Sequence, residues 1–103
     1  MIRSAPPRPN RFEIDLRAIV HNLGEVRRMA GEATSIFAAL KANAYGFGLD
    51  EVADVAVSSG ADGIAVADLA DAVGLRARGI EVPILLYAGN LWDAAVAAAV
   101  EAH

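Results

Sequence analysis

Lys41 is the only lysine of the chain, and it stands directly after an apolar run, Ser35-Ile36-Phe37-Ala38-Ala39-Leu40. A primary amine at the end of a buried strand sheds part of its hydration, which favours the neutral, nucleophilic form and opens imine formation with an aldehyde. A lysine at a strand end is more often a solvated charge, so its neighbours decide. Tyr45 follows four residues later with a phenolic hydroxyl, and Asn43 between them carries an amide able to cap or cross-link a loop. Gly46 and Gly48 let the backbone turn sharply and approach a bound group closely. Ordinary turn glycines and an ordinary core aromatic give the same residue types.

The elements that must position these groups can be read on either side of them. Residues 1–10 contain Pro6, Pro7 and Pro9 and form a mobile lead-in. Arg11 to Asp15 alternates polar and apolar residues, a short strand signal, and Asp15 then offers an oxygen to open a helix over about Leu16 to Ala30. The run 35–40 is a strand buried on both faces, and Asn43 to Gly48 is a loop. A helix begins near Asp50 and ends near Ser58-Ser59-Gly60; Gly63 to Val66 is the next strand. Asp68 to Arg78 is a helix closed by Gly79, and Val82 to Tyr87 is a third buried strand. Ala88-Gly89-Asn90 turns into an alanine-rich helix over Leu91 to Ala102. Strand and helix alternate, as in parallel strands joined by right-handed crossovers, in a (β/α) barrel or a doubly wound sheet. In a barrel, strand carboxyl ends face the active-site mouth, which is where Lys41 and Tyr45 fall. Pyridoxal phosphate is the aldehyde cofactor for such a lysine.

Composition narrows the alternatives. With 103 residues, 55% hydrophobic and 21% charged, the chain makes one globular domain at most, of residues 11–103. Cysteine is absent, which removes disulfides, thiolate metal sites and thiol nucleophiles. A formal charge of −4 and the lack of a basic-aromatic cluster argue against nucleic acid. No apolar run spans a membrane, so a cytoplasmic location is expected. His21 and His103 have no partner at metal-ligand spacing, and no metal is expected. His21 and Trp92 read as helix-surface or packing residues, and Asp68 and Asp71 as acids at a helix N-terminus. Tyr87 and Asn90 lie near the mouth of the third strand.

The segment Lys41-Ala42-Asn43-Ala44-Tyr45-Gly46-Phe47-Gly48 resembles the signature of alanine racemases, K-A-N-A-Y-G-H-G, at seven of eight positions. Phe12 to Leu16 with His21-Asn22-Leu23 looks like the family's opening, and Gly60 to Gly63, Leu75-Arg76, Gly79-Ile80 and Pro83 to Leu85 continue the likeness. Phe47 is the departure, standing where histidine is usual. The resemblance implies the N-terminal part of a (β/α)8 TIM-type barrel, about three strand-helix units. A whole barrel takes about 250 residues, and the C-terminal β-domain is absent from this chain.

By the same resemblance, Lys41 is the catalytic residue: it binds pyridoxal 5'-phosphate as a Schiff base and then acts as a base at the substrate α-carbon. Tyr45 donates a hydrogen bond to the cofactor phosphate. The implied reaction interconverts L- and D-alanine, supplying D-alanine for bacterial cell walls, with an amino acid as substrate. The implied whole enzyme is a homodimer whose second base is a tyrosine of the partner subunit, so this chain alone is expected to be inactive. The alternatives are a serine or broad-specificity racemase, and a non-catalytic remnant that binds pyridoxal phosphate or a partner chain.

Overall fold

The structure, a computed structural model, describes residues 11–87. Asp15 starts the regular chain: its Oδ1 accepts a hydrogen bond from Arg17 N at 2.9 Å, and α1 (Leu16–Ala30) follows as the sequence predicts. The helix stops at Gly31, whose positive φ of 87° a side chain would resist and whose N–H donates to Arg27 O at 2.8 Å. Then come β1 (Phe37–Ala39), α2 (Lys41–Tyr45), α3 (Leu49–Ser58), β2 (Gly63–Val66), α4 (Leu69–Ala77) and β3 (Ile84–Leu86).

The three strands form one parallel sheet in chain order, β1-β2-β3. Ala38 faces Ile64, which faces Ile84; Ala39 faces Ala65, which faces Leu85. Each new strand is thus laid beside the last with no reversal of order, and right-handed crossovers then carry their helices to the same side. The core sits there, where Ile64, Val66 and Leu75 are fully buried and join Leu40, Leu49, Val52 and Ala53. Leu16 and Ile19 of α1 close over it, and α1 packs against α3.

The opposite face carries Phe37, Ala39, Gly63, Ala65 and Leu85. Phe37 and Leu85 are 41% and 54% exposed, flanking small residues at the centre. A Cβ added to Gly63 would lie 2.5 Å from the Phe37 ring, so the ring rests on bare backbone of the neighbouring strand.

Four sequence expectations need correction. Arg11 to Asp15 is not a strand: no strand among the described residues pairs with it, and Phe12 is wholly exposed. Alternation over five residues is a local signal that yields no strand without a neighbour to bond. Among the described residues β1 and β3, in the runs at 35–40 and 82–87, are the edges of the sheet, half-buried on one face and open on the other, and β2 alone is buried throughout. The segment Asn43 to Gly48, expected as an irregular loop, begins as an ordered left-handed turn, the non-helical residues of α2. Lys41 itself is exposed, not desolvated, because nothing among the described residues covers that face. The lead-in 1–10, the turn 88–90 and the helix 91–102, with Asn90, Trp92 and His103, lie outside the described residues.

Candidate active site

β1 gives its last sheet bond at Leu40, whose N–H donates to Ala65 O at 2.8 Å, and Lys41 is the next residue. The chain does not then turn in the ordinary hand. Ala42, Asn43, Ala44 and Tyr45 have φ of 53°, 57°, 55° and 56°, four consecutive non-glycine residues in the left-handed region. For L-residues this conformation brings Cβ against the following carbonyl oxygen at a cost of about 1–2 kcal/mol each. Such a run persists only where its surroundings enforce it.

Several contacts do so. Ala44 N donates to Leu40 O at 3.0 Å, which fastens the turn to the strand end. The Ala44 methyl is 2% exposed and belongs to the core with Leu40, Leu49 and Val52. Gly46, at φ 89°, carries the left-handed path on and donates to Ala42 O at 3.0 Å. Asn43 Oδ1 accepts from Leu49 N at 2.8 Å, tying the turn to the start of α3.

The turn leaves Lys41 exposed at the carboxyl end of β1 and Tyr45, one helical turn further, 58% exposed. Phe47 is 54% exposed and lines an open groove of about 390 Å³ with Ile14, Leu16, Asn43 and Glu51. Other sequence-derived positions fall around the same edge. Tyr87 N donates to Val66 O at 3.0 Å, which puts Tyr87 at the carboxyl end of β3 with its side chain 42% exposed. Asp68, after β2, is occupied as the N-cap of α4, its Oδ1 accepting from Ala70 N at 2.8 Å. His21 is exposed on α1. Among the described residues no three His, Cys, Asp or Glu side chains converge to hold a metal, and no helix is long and apolar enough to cross a membrane.

The other end of the sheet holds a cluster that the sequence reading missed. Arg27 Nη1 donates to Gly31 O at 3.2 Å and Thr34 O at 2.6 Å, and Nη2 to Gly60 O at 3.0 Å and Asp62 Oδ2 at 2.7 Å. Asp62 Oδ2 also accepts from Ile36 N at 2.7 Å. The Arg27 guanidinium, helped by the Ile36 N–H, holds the Asp62 carboxyl below the usual Asp value. Arg17 does the same to Asp15. The only sequence signal for Arg27 is a basic residue in the last turn of a helix, which many helices share.

Residues 14–103 match the family model described as alanine racemase, N-terminal domain. An alanine racemase from Geobacillus kaustophilus is 49% identical over 87 residues, 84% of this chain and 23% of that protein. The crystal structure of alanine racemase from Corynebacterium glutamicum superposes with a TM-score of 0.77 at 40% identity, covering 86% of this chain and 25% of that one. The alanine racemase of Bacillus anthracis with bound L-Ala-P gives 0.71 at 39% identity over 75% of this chain and 20% of that one. The chain thus spans about a fifth to a quarter of the length of the relatives it matches.

Proposed function

The chain belongs to the family of alanine racemase N-terminal domains, and on that premise we propose that it is the lysine-bearing part of a pyridoxal phosphate-dependent racemase acting on L- and D-alanine. The observation that carries the reading is the left-handed turn of Ala42 to Tyr45 at the end of β1. A costly backbone conformation beside a lone lysine, at the carboxyl edge of a parallel sheet, is the form of strain kept for a site.

The residues present suit the cofactor. Lys41 offers an unhindered primary amine to an aldehyde carbon, and Tyr45, exposed on the same turn, offers a hydroxyl to a phosphate oxygen. When bound, pyridoxal phosphate supplies an electron-accepting ring that acidifies the substrate α-proton. Lys41 Nζ would hold the cofactor through its aldehyde carbon, and its amine would be the group that takes the α-proton from one face of the substrate. Tyr45 Oη would donate a hydrogen bond to the phosphate end and so help to orient the group. The proton returned to the opposite face comes from a group outside residues 11–87. The whole protein is, on this reading, a homodimer with a complete (β/α)8 barrel, and the present chain alone does not turn over.

Pyridoxal phosphate is added to the 103-residue chain, followed by borohydride reduction and mass mapping. Only two amines compete, Lys41 and the α-amine of Met1. The reading expects the label to favour Lys41 by at least about fivefold over its share in the chain unfolded in urea. Equal partition in folded and unfolded chain sinks it.

A further inference from the structure

The turn that carries Lys41 and Tyr45 closes on a single residue. Asn43 receives three backbone N–H groups: its main-chain carbonyl accepts from Gly46 N at 3.1 Å and Gly48 N at 3.0 Å, and its side-chain Oδ1 from Leu49 N at 2.8 Å. Leu49 opens α3, and the flanking Gly48 has no side chain with which to cap it. A first-turn N–H ordinarily takes a partner from the residue just before the helix. Here it is taken by a residue six positions back, inside the left-handed turn. Asn43 is also, after glycine, among the residue types that tolerate this conformation best, at φ 57° and ψ 45°.

We propose that Asn43 is a positioning residue of the site: its amide clamps α2 to α3 and thereby fixes the direction in which Lys41 and Tyr45 leave the turn. It acts through the backbone and not by touching the bound group. The functional half of this inference rests on the pyridoxal phosphate reading; the structural half rests on the hydrogen bonds alone.

Three variants separate the clamp from conformational preference. Asn43→Asp keeps an acceptor oxygen and tolerance of positive φ. Asn43→Gly keeps the conformation without strain but deletes the amide, and Asn43→Ala loses both. Two readouts are taken on the 103-residue chain: hydrogen exchange of the Leu49 amide without cofactor, and the Lys41-to-Met1 labelling ratio with pyridoxal phosphate and borohydride. Asn43→Gly and Asn43→Ala are expected to speed Leu49 exchange about tenfold and lower the ratio about fivefold, with Asn43→Asp restoring both to within about twofold. The glycine variant decides the matter, because relief of strain alone leaves its ratio at or above that of the unaltered chain. An unchanged Leu49 exchange rate and ratio in Asn43→Gly overturns the proposal, as does failure of Asn43→Asp to restore either. A parent chain whose Leu49 amide exchanges like that of an unstructured peptide overturns it too. A parent chain that shows no preference for Lys41 strikes the cofactor reading instead, and the exchange arm still decides the clamp.

Discussion

At the amino end of the three-stranded sheet, Arg27 spreads one guanidinium over Gly31, Thr34, Gly60 and Asp62. At the carboxyl end, four left-handed residues hold Lys41 and Tyr45 in the open. The first arrangement lowers the energy of the fold. The second raises it, by about 4–8 kcal/mol at 1–2 per residue before its hydrogen bonds are counted, against a net stability of roughly 5–15 kcal/mol for a small domain. Burial of Ala44 and the three N–H groups gathered by Asn43 offset part of that cost. The amino ends of β1 and β2 thus hold the molecule together while the carboxyl end of β1 presents an amine, a division of the kind seen across barrel folds generally.

That division predicts substitutions with separable effects. The largest is Lys41→Arg: a guanidinium forms no imine, so cofactor labelling at this position is expected to vanish. In a racemisation assay on the whole protein, the rate is expected to fall by about 10²–10⁴-fold or more. Its urea midpoint should imply a stability change within about 0.5 kcal/mol, since the side chain is exposed. Arg27→Ala should do the reverse, costing about 2–3 kcal/mol in urea unfolding by releasing four acceptors at once. Arg27→Lys should recover only part, because a single ammonium cannot span the same fork. If Arg27→Ala instead spares stability and abolishes labelling at Lys41, the two ends are not separate.

A smaller effect is a dependence on acid. The usual Asp value is 3.8, and Arg27 and the Ile36 N–H hold Asp62 below it in the folded chain. A lowered folded value means that the unfolded chain takes up the proton first as pH falls. The contribution of Asp62 is thus fully present above 3.8 and lost as pH falls from there through the lower folded value. Urea midpoints across that range should fall less steeply in Asp62→Asn than in the parent chain. An equal slope in both places the acid sensitivity elsewhere, with Asp15 the next group to test. The smallest effect is Ala42→Gly: glycine accepts the left-handed conformation without penalty but loses more entropy on folding, for a net gain of about 0.5–1 kcal/mol. Thermal unfolding measures the gain, and a loss of stability denies that the turn is strained at this position.

The sequence foretold α1, α3 and α4 and the positions of β1, β2 and β3 because those depend on local signals: Asp15 and Asp68 as N-caps, Gly31 as a stop, and apolar spacing along α1 and α3. It also foretold that Asn43 would serve the segment after Lys41 through its amide. The left-handed turn was not legible, since alanine at positions 42 and 44 carries no preference for it. What imposes the turn is tertiary: the pull of Ala44 into the core and the reach of Asn43 to Leu49. Arg27 was overlooked for a related reason, as its acceptors Gly60 and Asp62 lie 33 and 35 residues away. The exposure of Lys41 was misjudged because strand burial depends on how many neighbours a strand has.

The contact between the Phe37 ring and the bare backbone of Gly63 has a bearing on descent. The two positions are coupled: a methyl at 63 requires the half-exposed ring to swing aside, and a small residue at 37 uncovers the strand. Related sequences should therefore change the two together, glycine at 63 accompanying an aromatic at 37 and alanine or serine at 63 accompanying a shorter side chain. Such paired inheritance would register, in a comparison of many lineages, a contact that no single sequence discloses.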